Sequence, residues 1–274
     1  MFMFKSQKKY VRVSLVITTY NRPDALYEVL KSVNNQTVLP VEVIIADDGS
    51  KNTTKELIEK YKKESKLNLI HSWQEDIGFR AARSRNKAII KALGEYIILI
   101  DGDMILDENF INDHIKNSRK GFFIQGTRTL LSKSLTQEIL NGNKVNINFF
   151  QKNILNRKNS IRSLFLSKIF SGSKNSLFGI KTCNMSFFLH DFYLVNGFNN
   201  DIEGWGREDS EFCSRLMNAG IRRKNLRFSA IQYHLWHGLE NRKSLKNNDL
   251  ILKNTIDQKL TWCKSGANEI KNEY

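Results

Sequence analysis

Asp101 and Asp103 flank Gly102 at the end of the apolar, β-branched run Tyr96-Ile-Ile-Leu-Ile100. In an extended chain, side chains two apart point the same way, so both carboxylates address one space. Hard oxygen donors in that pattern suit Mg²⁺ or Mn²⁺, with the other positions left to water and phosphates. Gly102 lets the backbone turn and a bulky anion come close. Such a pair can equally be a plain strand-to-loop turn, so other groups must decide. A second pair, Asp47-Asp48, ends the run Val43-Ile-Ile-Ala46. With no cation it would repel phosphate, and it suits neutral donors such as a uracil N–H or ribose hydroxyls. A third group, Glu208, Asp209 and Glu211, follows Gly204-Trp205-Gly206. It reads as the acidic start of a helix, where the dipole favours ionised carboxylates, or as a base beside a tryptophan lid that the glycines let move. His234 and His237 are two of five histidines, and one of them would complete an aspartate-based metal site. Arg80, Arg83 and Arg85 lie between the aspartate pairs and could meet phosphate, orient loops or form a solvated face.

These groups need a scaffold that gathers strand ends. Val11–Thr18, Val41–Ala46, Leu67–Trp73 and Glu95–Ile100 read as buried strands, since continuous apolar runs suit a parallel sheet covered on both faces. Helical spacing separates them. Pro23 and Asp24 open a helix continued by Leu26, Val29, Leu30 and Val33; a second spans about Thr53–Glu64 and a third Phe79–Leu93. This alternation predicts an α/β fold with a mostly parallel central sheet flanked by helices. Ligands bind such sheets outside the carboxyl ends of the strands, where both aspartate pairs fall. Further on, Phe122–Gly126, Lys181–Leu189 and Leu226–Tyr233 read as strands. A helix follows Glu208 and ends at Gly220, and a closing helix spans Leu245–Lys264.

Four regions are expected: 1–128 as a nucleotide-binding half, 129–180 as a basic amphipathic insertion, 181–264 as the acceptor and catalytic half, and 265–274 as a polar tail. The insertion stands out. From Leu130 to Lys181 there are nine bases and one acid, interleaved with Phe149-Phe150, Leu164-Phe165-Leu166 and Ile169-Phe170. It reads as a surface for an anionic membrane or as an ordinary helical insertion.

The net charge of +15 favours an anionic partner without choosing among nucleic acid, membrane and phosphorylated substrates. Three scattered cysteines show no metal or disulfide spacing and fit a reducing compartment. No apolar run approaches the ~20 residues of a membrane span, and the N-terminal charges follow too short an apolar start for a secretory signal. A cytoplasmic protein, peripheral on the inner membrane, is expected.

The stretches Leu15-Val-Ile-Thr-Thr-Tyr-Asn-Arg-Pro23, Val43-Ile-Ile-Ala-Asp-Asp-Gly-Ser50 and Asp101-Gly-Asp103 resemble, in order, the nucleotide-binding half of GT-A (Rossmann-like) glycosyltransferases of family 2. Cys183-Asn-Met-Ser186 through Gly204-Trp-Gly-Arg-Glu-Asp-Ser-Glu211 resembles the C-terminal part shared by β-1,4-galactosyltransferases, polypeptide GalNAc-transferases and bacterial chondroitin-type polymerases. The basic 130–181 segment has no counterpart in the resemblance. It implies a metal-dependent, inverting transfer of a hexose or N-acetylhexosamine, galactose or GalNAc first, from a UDP-sugar to a glycan hydroxyl. The implied acceptor is a bacterial surface glycan such as lipopolysaccharide core or capsule, carried on lipid. Thr18, Tyr20, Arg22, Asp47, Asp48, Arg85, Asp101, Gly102 and Asp103 would hold the donor. Asp103, His237 and Asp101 would hold Mn²⁺ or Mg²⁺, with His234 as fallback. Asp209 would be the base, Glu208 its acceptor-binding partner, and Trp205 with Gly204 and Gly206 the lid.

Two other readings compete. A nucleotidyltransferase would share the aspartates and the sheet but would carry a glycine-rich basic loop after the first strand, where Thr18-Thr-Tyr-Asn-Arg-Pro23 stands. A nucleic-acid-binding module would explain the charge but not four aspartates at strand ends.

Overall fold

The computed structural model describes residues 11–143, 147–238 and 244–272. The first half alternates as expected: β1 (Val13–Thr19), α1 (Pro23–Asn34), β2 (Glu42–Asp47), α2 (Asn52–Glu64), β3 (Leu69–Trp73), α3 (Ala81–Ile89) and β4 (Tyr96–Asp101). After them come β5 (Met104–Leu106), α4 (Phe110–Asn117), β6 (Phe122–Gln125), β7 (Thr129–Leu130), α5 (Lys133–Leu140), α6 (Leu164–Phe170) and β8 (Gly172–Ser173). The chain finishes with β9 (Met185–Phe188), α7 (Leu189–Leu194), α8 (Glu208–Asn218), β10 (Arg222–Asn225), β11 (Gln232–His234), α9 (Leu245–Asp257) and α10 (Ala267–Lys271).

One sheet of eight strands runs in the order β3-β2-β1-β4-β9-β6-β10-β8. Its first four strands are parallel, and β6 pairs parallel with β10. β9 enters antiparallel between β4 and β6, and β8 closes the far edge antiparallel to β10. A small second sheet, β5-β11-β7, sits beyond the carboxyl end of β4. All six residues of β2 are buried, as a strand covered on both faces must be. Apolar clusters cover both faces, one built around α1 and α4, the other around α3, α7 and α8. A third lies under the small sheet and includes Leu135, Ile139, Ile154 and Tyr233. No helix among the described residues is long and apolar enough to cross a membrane.

Two elements differ from expectation. Leu226–Tyr233 is not one strand: Phe228 and Ala230 sit at φ 56° and 50°, a left-handed backbone that ends β10 early and lets the chain restart as β11. The 129–180 segment joins both sheets through β7 and β8. Arg162 bolts it down, donating to both oxygens of buried Asp113 at 2.9 and 2.7 Å, while Ala230 N–H donates to the same carboxylate. Burial alone would raise that carboxyl's pKa; the hydrogen bonds more than offset it and hold it below the ordinary value. Finally, the polar tail contains α10, whose Ala267 and Ile270 are buried.

Asparagines fasten the two halves together. Asn86 on α3 donates to the carbonyl of Phe198 at 2.7 Å and accepts from its N–H at 2.8 Å, all within the core. Replacing Asn86 with alanine strands both backbone groups. The loss should be about 2–4 kcal/mol in urea unfolding, and a change within experimental scatter would show that the pair is dispensable.

Candidate active site

The carboxyl ends of β1, β2 and β4 meet at one place. Asp47 is fully buried, accepting from Ser50 N–H at 2.8 Å and lying 2.8 Å from His71 Nε2. Asp48 has one oxygen on the Gln74 amide at 2.6 Å and the other on the Arg80 N–H at 2.7 Å. Burial pushes its carboxyl pKa up, against the pull of those two donors. Tyr20 is half exposed and donates to Asp76 at 3.0 Å. Gly102, just past β4, lies against β1: its N–H donates to the Thr18 carbonyl at 2.7 Å, and an added Cβ would stand 3.0 Å from that same oxygen. Any side chain there would crowd the strand end. Gln74 and Asp76 were not singled out in the sequence. They follow β3 directly, so the strand-end rule that found Asp47 and Asp101 would have found them too.

Asp103 gathers both histidines. Its Oδ2 lies 3.3 Å from His234 Nε2 and 3.4 Å from His237 Nε2. Adjacent ligands of an ion bonded at just over 2 Å sit roughly 3 Å apart, so the trio is close to ligating separation. The other oxygen of Asp103 is buried with no hydrogen-bond partner among the described residues. His237 Nδ1 donates to the carbonyl of Gly238 at 2.6 Å, which leaves Nε2 with its lone pair for an ion. One carboxylate and two imidazoles favour Mn²⁺ over Mg²⁺, which prefers oxygen alone. Among the described residues Asp103, His234 and His237 are the group that could hold an ion, while the Asp101 carboxylate lies 3.5 Å from Arg85 Nη2. Arg22 ion-pairs with Asp24 at 3.0 Å and lines, with Lys133, Thr136, Trp236 and His237, a cavity of about 270 Å³. Lys133 lies over the Trp236 ring at 5.1 Å. These side chains were not foreseen beside the metal group.

Arg85 is the junction. From α3 its Nε donates to Thr18 Oγ1 at 3.1 Å, Nη1 to Glu208 at 3.1 Å and Nη2 towards Asp101 at 3.5 Å. Burial alone would lower its pKa; Glu208 and Asp101 more than offset that, so the guanidinium stays charged. It is a brace between strand ends and α8, occupied by protein oxygens in this state. Glu208 keeps its second oxygen buried and without a hydrogen-bond partner among the described residues. Asp209 beside it is pushed up to about 7, first by burial and then by the Glu208 charge, with Arg85 pulling the other way. A carboxylate poised there can take a proton near neutral pH. Glu211 points inward instead, held by Arg215 at 2.8 and 2.6 Å.

The Trp205 loop is fastened. Gly204 N–H donates to the Phe79 carbonyl, and Asn248 donates to the carbonyls of Glu203 and Gly206 at 2.9 Å each. Gly204 and Gly206 have φ of 73° and 101°. A Cβ at Gly204 would also strike Ser244 at 2.3 Å. Trp205 is 36% exposed, so the ring stands at the rim of the site.

The α/β sheet, with Asp47, Asp48, Asp101 and the Asp103–His234–His237 trio at its strand ends and Glu208–Asp209 opening α8 beside them, has the GT-A fold. The model of glycosyl transferase family 2 matches residues 14–178, and that for the "N-terminal domain of galactosyltransferase" matches 166–238. The chain belongs to glycosyl transferase family 2. It is 28% identical to validoxylamine A glucosyltransferase of Streptomyces hygroscopicus subsp. limoneus over 76% of this chain and 48% of that one. It is 27% identical to the chondroitin synthase of Escherichia coli over 81% of this chain and 34% of that one. It thus spans about half or less of these relatives. Among solved structures, GalNAc-T7 with UDP, GalNAc and Mn²⁺ matches at TM-score 0.65 and 14% identity, covering 90% of this chain and 48% of that one. TarS 1-349 of S. aureus in complex with UDP-GlcNAc matches at 0.57 and 21%, covering 85% and 61%.

Two outcomes follow from this geometry. Replacing either His234 or His237 with alanine should weaken Mn²⁺ binding about tenfold or more in calorimetric titration, Asp103→Asn should abolish it, and Asp101→Asn should change it only a few-fold. Equal losses at Asp101 and Asp103 would restore Asp101 as a ligand. For Asp209, folding keeps a proton that the unfolded chain releases, because the carboxyl rises from 3.8 to about 7. Stability therefore falls as pH climbs through that window, and Asp209→Asn should melt higher than the natural protein at pH 8. An unchanged or lower melting temperature would mean the carboxylate is not strained there.

Proposed function

We propose that the protein moves galactose or N-acetylgalactosamine from a UDP-sugar to a hydroxyl of a lipid-linked bacterial glycan, such as lipopolysaccharide core or capsule, with inversion. It would work in the cytoplasm at the inner face of the inner membrane. The observation carrying this reading is that the Asp103–His234–His237 trio and the Glu208–Asp209 pair lie at one end of the sheet, where Arg85 ties Glu208 to Asp101, two residues before Asp103. Thr18, Tyr20 and Asp48 would hold the uridine, with Asp47 as their neighbour, and Gly102 would leave room for the diphosphate. Asp103, His234 and His237 would hold Mn²⁺, which when bound neutralises charge on the departing diphosphate. Asp209 accepts the proton of the acceptor hydroxyl as that oxygen attacks the anomeric carbon. Glu208, tethered to Arg85 by one oxygen, offers the other to a sugar hydroxyl. One base beside the donor site suits a single displacement with inversion. The GalNAc bound by GalNAc-T7 and the match to the galactosyltransferase model support this sugar class, with glucose-type donors next.

Incubation with a panel of UDP-sugars, with and without Mn²⁺, should show slow hydrolysis of UDP-galactose or UDP-GalNAc that stops when the ion is chelated. Asp209→Asn should abolish transfer and leave UDP affinity unchanged. Transfer retained in that variant removes Asp209 from the role, and failure to bind any UDP-sugar removes the donor class.

A further inference from the structure

α6 is turned inside out. Ser167 is its buried residue, whereas Leu164, Phe165, Ile169 and Phe170 face solvent, with Phe165 72% exposed. A surface helix ordinarily buries its apolar stripe and shows its polar one. Just past β8, Phe178 is 88% exposed, although its carbonyl is anchored to the same edge by Arg223 at 2.8 Å. An apolar patch of this kind in a folded chain marks a contact surface. It is also rigidly presented. The Arg162–Asp113 pair holds the entry to α6, the Ser163 N–H donates to the Phe228 carbonyl at 2.9 Å, and the Phe170 ring sits 5.6 Å from that of Phe228.

Cations frame the patch. Lys168 projects from the helix and Lys174 follows β8, both exposed. Beneath them Arg119, Arg222 and Lys224 line a cavity of about 320 Å³ with Ser171, Gly172 and Ser173. The guanidiniums of Arg119 and Arg222 lie 5.0 and 4.4 Å from the Phe122 ring. Burial, and then the nearness of Arg119, lowers the Lys224 ammonium from its usual value, as expected of cations crowded together. From Ile139 to His190 the chain carries eight bases and no acid.

We propose that this lateral edge of the sheet, made of α6, Phe178 and the cationic cleft beside them, is a docking surface for an anionic lipid bilayer. Phenylalanine, leucine and isoleucine side chains enter the boundary of the acyl layer, while lysine and arginine stems run up to the phosphates around them. The charge pattern selects this occupant. A second copy would bring another such edge, equally without acids, on a chain of net charge +15, and the two would repel. A bilayer of anionic lipids supplies the apolar layer and the negative charge together. Because the patch is at the β10–β8 edge, docking leaves the carboxyl ends of β1 and β4 uncovered for a membrane-held acceptor. The inference deepens the reading of a lipid-linked acceptor and rests on it for its purpose.

The test uses sedimentation with vesicles of phosphatidylcholine alone or mixed with phosphatidylglycerol, alongside donor hydrolysis. The natural protein should bind only the mixed vesicles, and added salt should weaken that binding. Phe165→Ser with Ile169→Ser, and separately Lys168→Glu with Lys174→Glu, should each lower vesicle affinity about tenfold or more while donor hydrolysis is unchanged. Unchanged hydrolysis certifies that the variants fold. Full vesicle binding by both variants would overturn the assignment of this edge. So would a natural protein that hydrolyses donor but ignores vesicles, or one whose self-association is abolished by the phenylalanine–isoleucine change; in both cases the transferase reading stands. Loss of hydrolysis in the natural protein, with vesicle binding intact and sensitive to these substitutions, would instead sink the transferase reading and keep the docking surface.

Discussion

A buried guanidinium is the constraint on which the site depends. Arg85 sits fully inside the protein, and a charge there is tolerable only if its donors are met. They are met from Thr18 on β1, Asp101 at the end of β4 and Glu208 at the start of α8. Two of these lie at the ends of β1 and β4 and one on α8, so the arginine can be satisfied only when all three elements are docked. The arrangement also sets Asp209. Arg85 spends much of its charge on Glu208 and Asp101, which leaves its neighbour Asp209 dominated by burial and by the like charge of Glu208. Positioning and pKa are therefore one device.

The positive charge of the chain divides into two populations. Arg85, Arg162 and Arg215 are inside or half inside, each matched to a carboxylate, and they hold elements together. Part of the surplus gathers on the surface along the β10–β8 edge, in Arg119, Lys168, Lys174, Arg222 and Lys224. Net charge alone could not separate these populations, because a paired and an unpaired arginine are the same letter.

The first half of the fold was legible because its strands are buried on both faces, so their sequences are unbroken apolar runs. The aspartates that end them were legible for the same reason: polarity changes abruptly where the sheet ends. Beyond residue 120 the signal weakens for physical causes. β7 and β8 are two residues long and carry no periodicity. The break between β10 and β11 rests on left-handed residues at Phe228 and Ala230, neither of a type that announces it. Asp113 reads as an ordinary helix residue until Arg162, far along the chain, closes on it. In the site, Asp103 and the histidines could be named from residue type and place. That Asp101 turns to Arg85 while His234 turns to Asp103 could not be read there, because these contacts are tertiary facts. Arg85 itself could be suspected of meeting phosphate but not of bracing α8.

The small sheet has a consequence for assembly. β5 pairs with β11 so that Met104 faces His234, and the N–H of Leu235 donates to the Asp103 carbonyl at 2.9 Å. The aspartate is thus zipped to histidines from the opposite end of the described chain, in a register where a slip of one residue would turn His234 to the other face. The Asp103–His234–His237 group is a lock that is complete only after β11 has arrived in register. Conversely, an ion held by the trio would favour the closed register by mass action, so occupancy of the site would double as a seal on a long-range contact.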